Sequence, residues 1–246
     1  MKKNNITAFT LIELLVVIAI IAILASIALP AFSSVQERAK QTKDLSNGKQ
    51  VALSLRQFAL DNNGEFPNKI YGNSGSYAGA VAPCTNSNEC LRWLLPVYVR
   101  SEDIFVVPGS AWNVAGADNV LDTTYGVSAT PGTLLAGENG YAYISGLNDT
   151  SNPAFPLIAD GFATGAVPSY TAAKTLPGGV WGGTKAVVIF CDGSGKVMKV
   201  DDTTALTIRR PAYLYSIFGL ANSAAPDSWL GPSWTGTSGN LVLNPL

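Results

Sequence analysis

The amino-acid sequence predicts an α+β fold in which one long N-terminal helix packs on an antiparallel β-sheet head. A helical pattern of apolar residues runs from position 9 to about position 62 and stops at a cluster of turn-forming residues. From position 68 onward, short apolar or aromatic runs alternate with segments rich in Gly, Ser, Asn and Pro, which is typical of strands joined by turns. With 47% hydrophobic and only 13% charged residues, the 246-residue chain can form a substantial core.

The first part of the predicted helix is apolar enough to cross a membrane. Its apolar run from Phe9 to Leu29 is interrupted only by Thr10, Glu13 and Ser26, and some 20 apolar helical residues span the hydrocarbon core of a bilayer. An acidic side chain inside a membrane helix costs about 2.5 to 3.5 kcal/mol on insertion scales and usually has a partner. We therefore expect a compensating positive charge for Glu13.

A cleaved secretory signal peptide is the alternative interpretation of this segment. Lys2 and Lys3 would form its basic region, and Ser26, Ile27 and Ala28 would supply small residues before the cut. The apolar stretch is longer than usual for such a peptide, and a cleaved signal gains nothing from a carboxylate inside it. Both features count against a cleaved signal peptide, and a plain uncut anchor leaves the carboxylate of Glu13 equally unexplained.

The second part of the predicted helix is amphipathic. Pro30 lacks a backbone N–H, so a kink is predicted where the apolar run ends. The opposite, polar face, which includes Asp44, would ordinarily be a solvated helix surface, and we expect neighbouring subunits to cover part of it. The residues Asp-Asn-Asn-Gly at 61–64 predict the end of the helix, which would be about 80 Å long. Apolar residues at three- and four-residue steps form the face predicted to pack: Phe32, Val35, Ala39, Leu45, Val51, Ala52, Leu55, Phe58 and Ala59.

Strands are predicted at four places in the head. Residues 185–191 and 196–200 flank the turn Asp-Gly-Ser-Gly and predict a β-hairpin. Residues 141–144 and 155–161 are further strand candidates, the second of which contains Pro156 and so suits an edge or a strand entry.

Composition excludes several classes of function. The net charge of −1 and the lack of any dense Lys/Arg run beyond the N-terminal region argue against nucleic-acid binding. The chain contains no histidine, which removes Ser-His and Cys-His nucleophiles and histidine acid–base chemistry. We therefore expect neither a nucleic-acid partner nor a common hydrolase mechanism.

The three cysteines suggest one local disulfide and one buried thiol. Cys84 and Cys90 lie close together in a polar segment, whereas Cys191 follows an apolar run. A disulfide between Cys84 and Cys90 would suit an oxidising compartment such as the periplasm. Two reduced loop thiols are the alternative that the spacing leaves open.

Residues 8–24, AFTLIELLVVIAIIAIL, resemble the class III signal of type IV pilins and type II secretion pseudopilins. In that family a membrane peptidase cleaves just before the phenylalanine and methylates the new amino terminus. The resemblance implies cleavage between Ala8 and Phe9 and N-methylation of Phe9, although the family usually has glycine where Ala8 stands. Glu13 would be the fifth mature residue, whose carboxylate faces the N-terminal amine of a neighbouring subunit during assembly, and family members often have a proline at the position of Pro30.

The resemblance implies a pilin fold and divides the chain into three parts. Residues 1–8 would be the prepilin leader peptide, residues 9–63 the long helix with its transmembrane segment at 9–29, and residues 64–246 a globular β-rich head. The family is anchored in the bacterial inner membrane by a single span with the head in the periplasm, and its subunits can form a cell-surface filament after assembly. Charge counting alone does not decide the orientation, because Lys2 and Lys3 are balanced by Arg38, Lys40 and Lys43 beyond the span.

The implied function is structural rather than enzymatic. We expect a subunit of a helical homo-oligomeric filament, with other pilin-like subunits, the prepilin peptidase and an inner-membrane assembly platform as partners. The helix exit, DNNGEFP, and the two Asp-Gly turns resemble large G-type pseudopilins, which favours a type II secretion pseudopilin that drives protein export over a true type IV pilin. The alternative from another class is a membrane-anchored periplasmic enzyme or binding protein.

No cofactor is expected, and calcium is the alternative left open. G-type pseudopilins bind calcium in C-terminal loops, and carboxylate oxygens are the ligands that this ion prefers. Asp160 and Asp192 are the candidate ligands here, and Asp201 and Asp202 could join them. Asp160 and Asp192 are also the only plausible carboxylate pair for the enzymatic alternative, but no recognisable motif places them across a cleft.

Overall fold

The structure is a computed structural model in which the described residues are 10–70, 82–122, 132–164, 169–201, 208, 217–218 and 241–246. It confirms the predicted α+β class, with one long N-terminal helix and a five-stranded antiparallel sheet. The chain forms two compact units, residues 1–42 and residues 43–246. Helix α1 (Leu11–Asp61) contributes its first part to the first unit and its last part to the second.

In the first unit, the described residues form a single uninterrupted stretch of α1. The helix continues through Pro30, whose missing N–H leaves the carbonyl of Ser26 without its helical donor. Large apolar side chains from Leu11 to Leu29 are exposed, and the segment is long and apolar enough to cross a membrane. Phe32 and Val35 are also exposed, so the buried stripe predicted from Phe32 begins later along the helix.

The helix ends at the predicted turn. Asn63 has φ of 55° and Gly64 has φ of 82°, so both residues are left-handed. The amide of Gly64 donates to the carbonyl of Ala59 at 2.8 Å, and the side-chain amide of Asn62 donates to the carbonyl of Phe58 at 2.8 Å. These bonds satisfy carbonyls that the last helical turn leaves without intrahelical donors.

In the second unit, one face of α1 is buried in the core. The apolar part of this face consists of predicted residues: Val51, Ala52, Leu55, Phe58 and Ala59. The same face also carries Asp44, whose side chain is fully buried. The prediction that Asp44 lies on an outer polar face, open to water or to neighbouring subunits, was therefore wrong. The three- and four-residue steps that bury Val51 and Leu55 also bury Asp44 when they are continued toward the N-terminus.

The sheet consists of strands β1 (Tyr141–Ser145), β2 (Pro156–Asp160), β3 (Lys185–Phe190), β4 (Gly195–Lys199) and β5 (Leu241–Leu243). Their order in the sheet is β4-β3-β2-β1-β5, and each neighbouring pair is antiparallel. The predicted hairpin is present as β3 and β4, and the two other predicted strands are β1 and β2. Strand β5 was missed because it is only three residues long and has no turn-bounded apolar pattern.

Gly48 allows α1 and the sheet to approach closely. A Cβ atom at this position would lie 2.8 Å from Cγ1 of Ile189 in β3. Further along the helix, a guanidinium nitrogen of Arg56 donates to the carbonyl of Cys191 at 2.6 Å, just beyond β3. The last part of α1 is thus held on the sheet by both apolar and polar contacts.

Replacing Gly48 by alanine should destabilise the second unit. The added methyl group has no room beside Ile189, and overpacking in a core typically costs about 1 to 3 kcal/mol, which exceeds the gain in helix propensity of about 1 kcal/mol. Chemical denaturation of the full-length protein in detergent measures the difference. Ser46→Ala, on the exposed side of α1, is the matched control and should leave stability within about 0.5 kcal/mol of wild type. A Gly48→Ala variant as stable as that control would contradict the close packing.

Candidate functional site

Glu13 caps the N-terminus of its own helix. The backbone amide and the hydroxyl of Thr10 both donate to Oε2 of Glu13, each at 2.8 Å. In return, the backbone amide of Glu13 donates to the hydroxyl of Thr10 at 3.2 Å. This reciprocal arrangement is a capping box, which satisfies amides that the first turn of a helix leaves without partners.

The capping box supplies a local reason for a carboxylate in this apolar segment. In hydrocarbon no water is present to bond the first amides of a helix, so a side-chain acceptor is worth more there than in solution. The sequence already carried the signal, since a threonine followed three residues later by a glutamate before an apolar run predicts a capping box. The sequence reasoning missed it and considered only an intermolecular partner.

Only one carboxylate oxygen of Glu13 is used in this cap. Both bonds from Thr10 reach Oε2, and Oε1 accepts no hydrogen bond from the described residues. An ionised carboxylate can accept several bonds through its two oxygens. The cap therefore leaves Oε1 available to a second donor.

The helix that carries Glu13 matches a known family model. Residues 3–29 match the prokaryotic N-terminal methylation motif. Together with the long apolar N-terminal helix and the antiparallel sheet, this match supports a type IV pilin-like protein. The matched N-terminal segment is type IV pilin-like. Comparisons with curated proteins and with solved structures gave no match.

The motif implies processing by a prepilin peptidase and assembly with other pilin subunits. The predicted cleavage residues of this type IV pilin-like chain, Ala8 and Phe9, lie outside the described residues. Cleavage between them, and methylation of Phe9, stay predictions. Pro30 lies inside α1, and its role in assembly also stays a prediction.

Cys84 and Cys90 of the type IV pilin-like chain form a disulfide, with their Cα atoms 5.8 Å apart. Both residues are buried, and the short helix α2 (Ser87–Leu91) begins inside the loop that they close. The amide of Cys84 also donates to the carbonyl of Asn68 at 3.1 Å. The bridge therefore connects α2 to the segment that follows α1.

Cys191 is the predicted buried free thiol, and burial raises its pKa to about 12.

Asp160 and Asp192, the predicted calcium pair, are not brought together. Asp160 ends β2 and is fully buried, whereas Asp192 is exposed in the turn between β3 and β4. Val188 of β3 lies opposite Ala159, so Asp192 is about four to five residues further along, or about 15 Å. The structure therefore does not bring these two aspartates into one shared site, and calcium binding by either of them stays a prediction. Each carboxylate already accepts hydrogen bonds from the protein. Asp192 accepts from the amide of Ser194 at 2.7 Å, and Asp160 accepts from Trp181 and Val187.

Three other carboxylates do converge in the described part of the chain. The ligand atoms of Glu102, Asp118 and Glu138 lie within 4.8 Å of one another. Glu102 already accepts from the amides of Leu134 at 2.7 Å and Asn119 at 2.9 Å. Desolvation raises the pKa values of Glu102 and Glu138. Their oxygens serve loop amides, so this cluster has a structural explanation, and calcium binding by the chain stays a prediction.

Breaking the disulfide should destabilise the head measurably. The bridge spans a sequence separation of 6. For a loop of this length, the entropy that the disulfide removes from the unfolded chain corresponds to about 2 kcal/mol of stabilisation. The double variant Cys84→Ser, Cys90→Ser should therefore unfold at lower denaturant concentration than wild type, in the full-length protein in detergent. Reductant should shift wild type toward the double variant and leave the double variant unchanged. Equal stability of oxidised wild type and the double variant would contradict this role.

Proposed function

We propose that this protein is a structural subunit of a pilus-like filament anchored in the bacterial inner membrane. The match of residues 3–29 to the methylation motif carries the proposal. An apolar helical segment with exposed side chains supports it, because such a surface must be covered by lipid or by other subunits. The capping box adds support, since it keeps the helix intact up to its first turn while leaving Oε1 of Glu13 for a partner.

Within this class we favour a type II secretion pseudopilin that builds a periplasmic pseudopilus and drives protein export. The support is the resemblance of the helix exit and of the Asp-Gly turns to large G-type pseudopilins. A true type IV pilin that builds a surface fibre is the second candidate. Shearing of intact cells distinguishes the two, because a surface fibre is released into the medium and a periplasmic pseudopilus is retained.

An enzymatic function has weaker support. The buried carboxylates Asp44 and Asp160 are both fully enclosed, so a substrate has no access to them in this conformation. The exposed Asp192 is bonded within its own turn. We therefore propose a subunit without catalytic activity, whose assembly depends on energy from a separate ATPase of the assembly machinery.

The protein extracted from membranes should begin at N-methylated Phe9. Cleavage by the prepilin peptidase removes residues 1–8, and the same enzyme methylates the new amine. Intact-mass measurement and N-terminal sequencing, with and without the peptidase, test both steps. A chain that begins at Met1 in the presence of the peptidase would contradict the proposed processing, and one that begins at Leu29 would indicate a cleaved signal peptide.

Variants at Glu13 and Thr10 should separate assembly from helix capping. Glu13→Ala removes both the cap and the charge and should permit membrane insertion while strongly reducing filament yield. Glu13→Gln keeps a side-chain oxygen that can accept from Thr10 but removes the charge, so it should also fail to assemble. Thr10→Ala removes the reciprocal hydroxyl bonds but keeps the charge, and should assemble at close to the wild-type level.

Filament yield by electron microscopy and membrane insertion by fractionation provide the two measurements. The reverse pattern, with Glu13→Gln assembling and Thr10→Ala failing, would assign Glu13 to capping alone. Normal yield from all three variants would remove any role for Glu13 in assembly.

A further inference from the structure

Two aspartates face each other inside the head. Asp44 lies on α1 and Asp160 ends β2, and both side chains are fully buried. Tyr141 brings them together, because its hydroxyl donates to Asp44 and the same residue lies opposite Asp160 in the sheet. Each carboxyl group shifts the pKa of the other through a side-chain hydrogen bond. Burial of two carboxyl groups without a paired cation is rare, because each loses its hydration and the two repel if both are ionised. The arrangement therefore needs a specific explanation.

Asp160 has the donors that an ionised carboxylate requires. Its Oδ2 accepts from the indole N–H of Trp181 at 2.7 Å and from the backbone amide of Val187 at 2.8 Å. Hydrogen bonds to a carboxylate favour its charged form. Asp44 has fewer, since only its Oδ1 accepts, from the hydroxyl of Tyr141 at 2.7 Å.

The remaining oxygen of each carboxyl group has no donor among the described residues. With both groups ionised, Oδ2 of Asp44 and Oδ1 of Asp160 are buried acceptors without a hydrogen-bond partner. Such unsatisfied buried groups are uncommon and costly. One proton placed on Oδ2 of Asp44 would supply the donor that Oδ1 of Asp160 lacks, and would satisfy both oxygens at once.

In the described part of the chain, the groups that donate hydrogen bonds to the two side chains are neutral. Tyr141 of β1 donates to Asp44, and Tyr170, whose pKa is raised by burial and by both aspartates, is the second phenol of the cluster. Strand β3 contributes the amide of Val187 and carries Lys185, which is partly exposed. Trp181 contributes a neutral donor. A proton is thus the simplest neutralising ligand for the cluster.

We propose that Asp44 and Asp160 share one proton at neutral pH, with neutral Asp44 donating through Oδ2 to ionised Asp160. The resulting hydrogen bond links α1 to the sheet. Paired carboxyl groups that cannot both ionise are known to hold a proton in this way. The bond joins the helix that carries the methylation motif to the second strand of the head. Loss of the proton would leave two charges in the core at the contact between α1 and β2.

The pH dependence of stability follows from the direction of the pKa shifts. Desolvation, together with the charge of Asp160, raises the pKa of Asp44 well above its ordinary value, and desolvation raises that of Asp160 to about 6. The folded chain therefore retains protons that the unfolded chain releases near pH 4. The stabilising contribution is fully present below about pH 4 and declines as the pH rises through the folded pKa values.

Asp44→Asn tests this pair, because its amide can donate to Asp160 permanently but cannot titrate. Thermal unfolding is measured on the full-length protein in detergent. Between about pH 5 and about pH 8, the unfolding temperature of wild type should fall by at least about 3 °C more than that of Asp44→Asn. Glu102 and Glu138 contribute the same pH dependence of stability to both proteins, so their effect cancels in the comparison. Asp201→Asn, at an exposed position, is the control and should follow wild type. Parallel pH profiles of wild type and Asp44→Asn would overturn the proposal.

Infrared spectroscopy detects the proton directly in wild type. Aspartate labelled with ¹³C at Cγ should give an isotope-shifted band of a protonated carboxylic acid at about pH 7, well above the ordinary pKa of aspartate, and this band should be absent in Asp44→Asn. Absence of the band from folded wild type would overturn the proposal even if the variant did not fold. A rise in unfolding temperature on adding calcium or sodium that Asp44→Asn abolishes would also overturn it, because a cation would then occupy the position of the proton.

Discussion

The head of this protein depends on the contact between one face of α1 and the five-stranded sheet. The apolar part of that face, from Val51 to Ala59, is in the main core cluster, and burial of such side chains contributes about 1.5 to 3 kcal/mol each. Gly48 sets how closely the helix and Ile189 approach. The sheet cannot complete its core without the helix, so the element that carries the membrane segment is also part of the folded head.

This shared use of α1 explains where the chain divides. The boundary between the compact units lies at residues 42 and 43, inside the helix and not at its end. A helix can pass from one unit to the next because its backbone bonds are internal and independent of what surrounds it. The surroundings then decide which side chains are exposed. Leu24 and Leu55 are both leucines of one helix, but the first is exposed and the second is buried.

Two acidic residues of α1, Glu13 and Asp44, have side chains that form specific hydrogen bonds within the chain. Glu13 accepts from the backbone amide and the hydroxyl of Thr10 at the start of an apolar helical segment. Asp44 lies between Tyr141 and Asp160 in the core, where it receives one bond and can donate another. Asp44 is fully buried, so its polar group is retained only with specific partners. Asp192, in contrast, is exposed and has the ordinary role of stabilising a turn.

The sequence by itself determined the features that depend on near neighbours in the chain. The long helix, its end at Asn63 and Gly64, the β3–β4 hairpin and the membrane segment follow from periodicity, turn residues and the length of an apolar run. The methylation motif is likewise local. Tertiary structure alone decided that Asp44 is buried, that β5 pairs with β1, and that Asp160 lies far from Asp192 along β3. These outcomes depend on which distant segments pack together, and a polar residue on a helix shows no sign in its own sequence of the strand that will cover it.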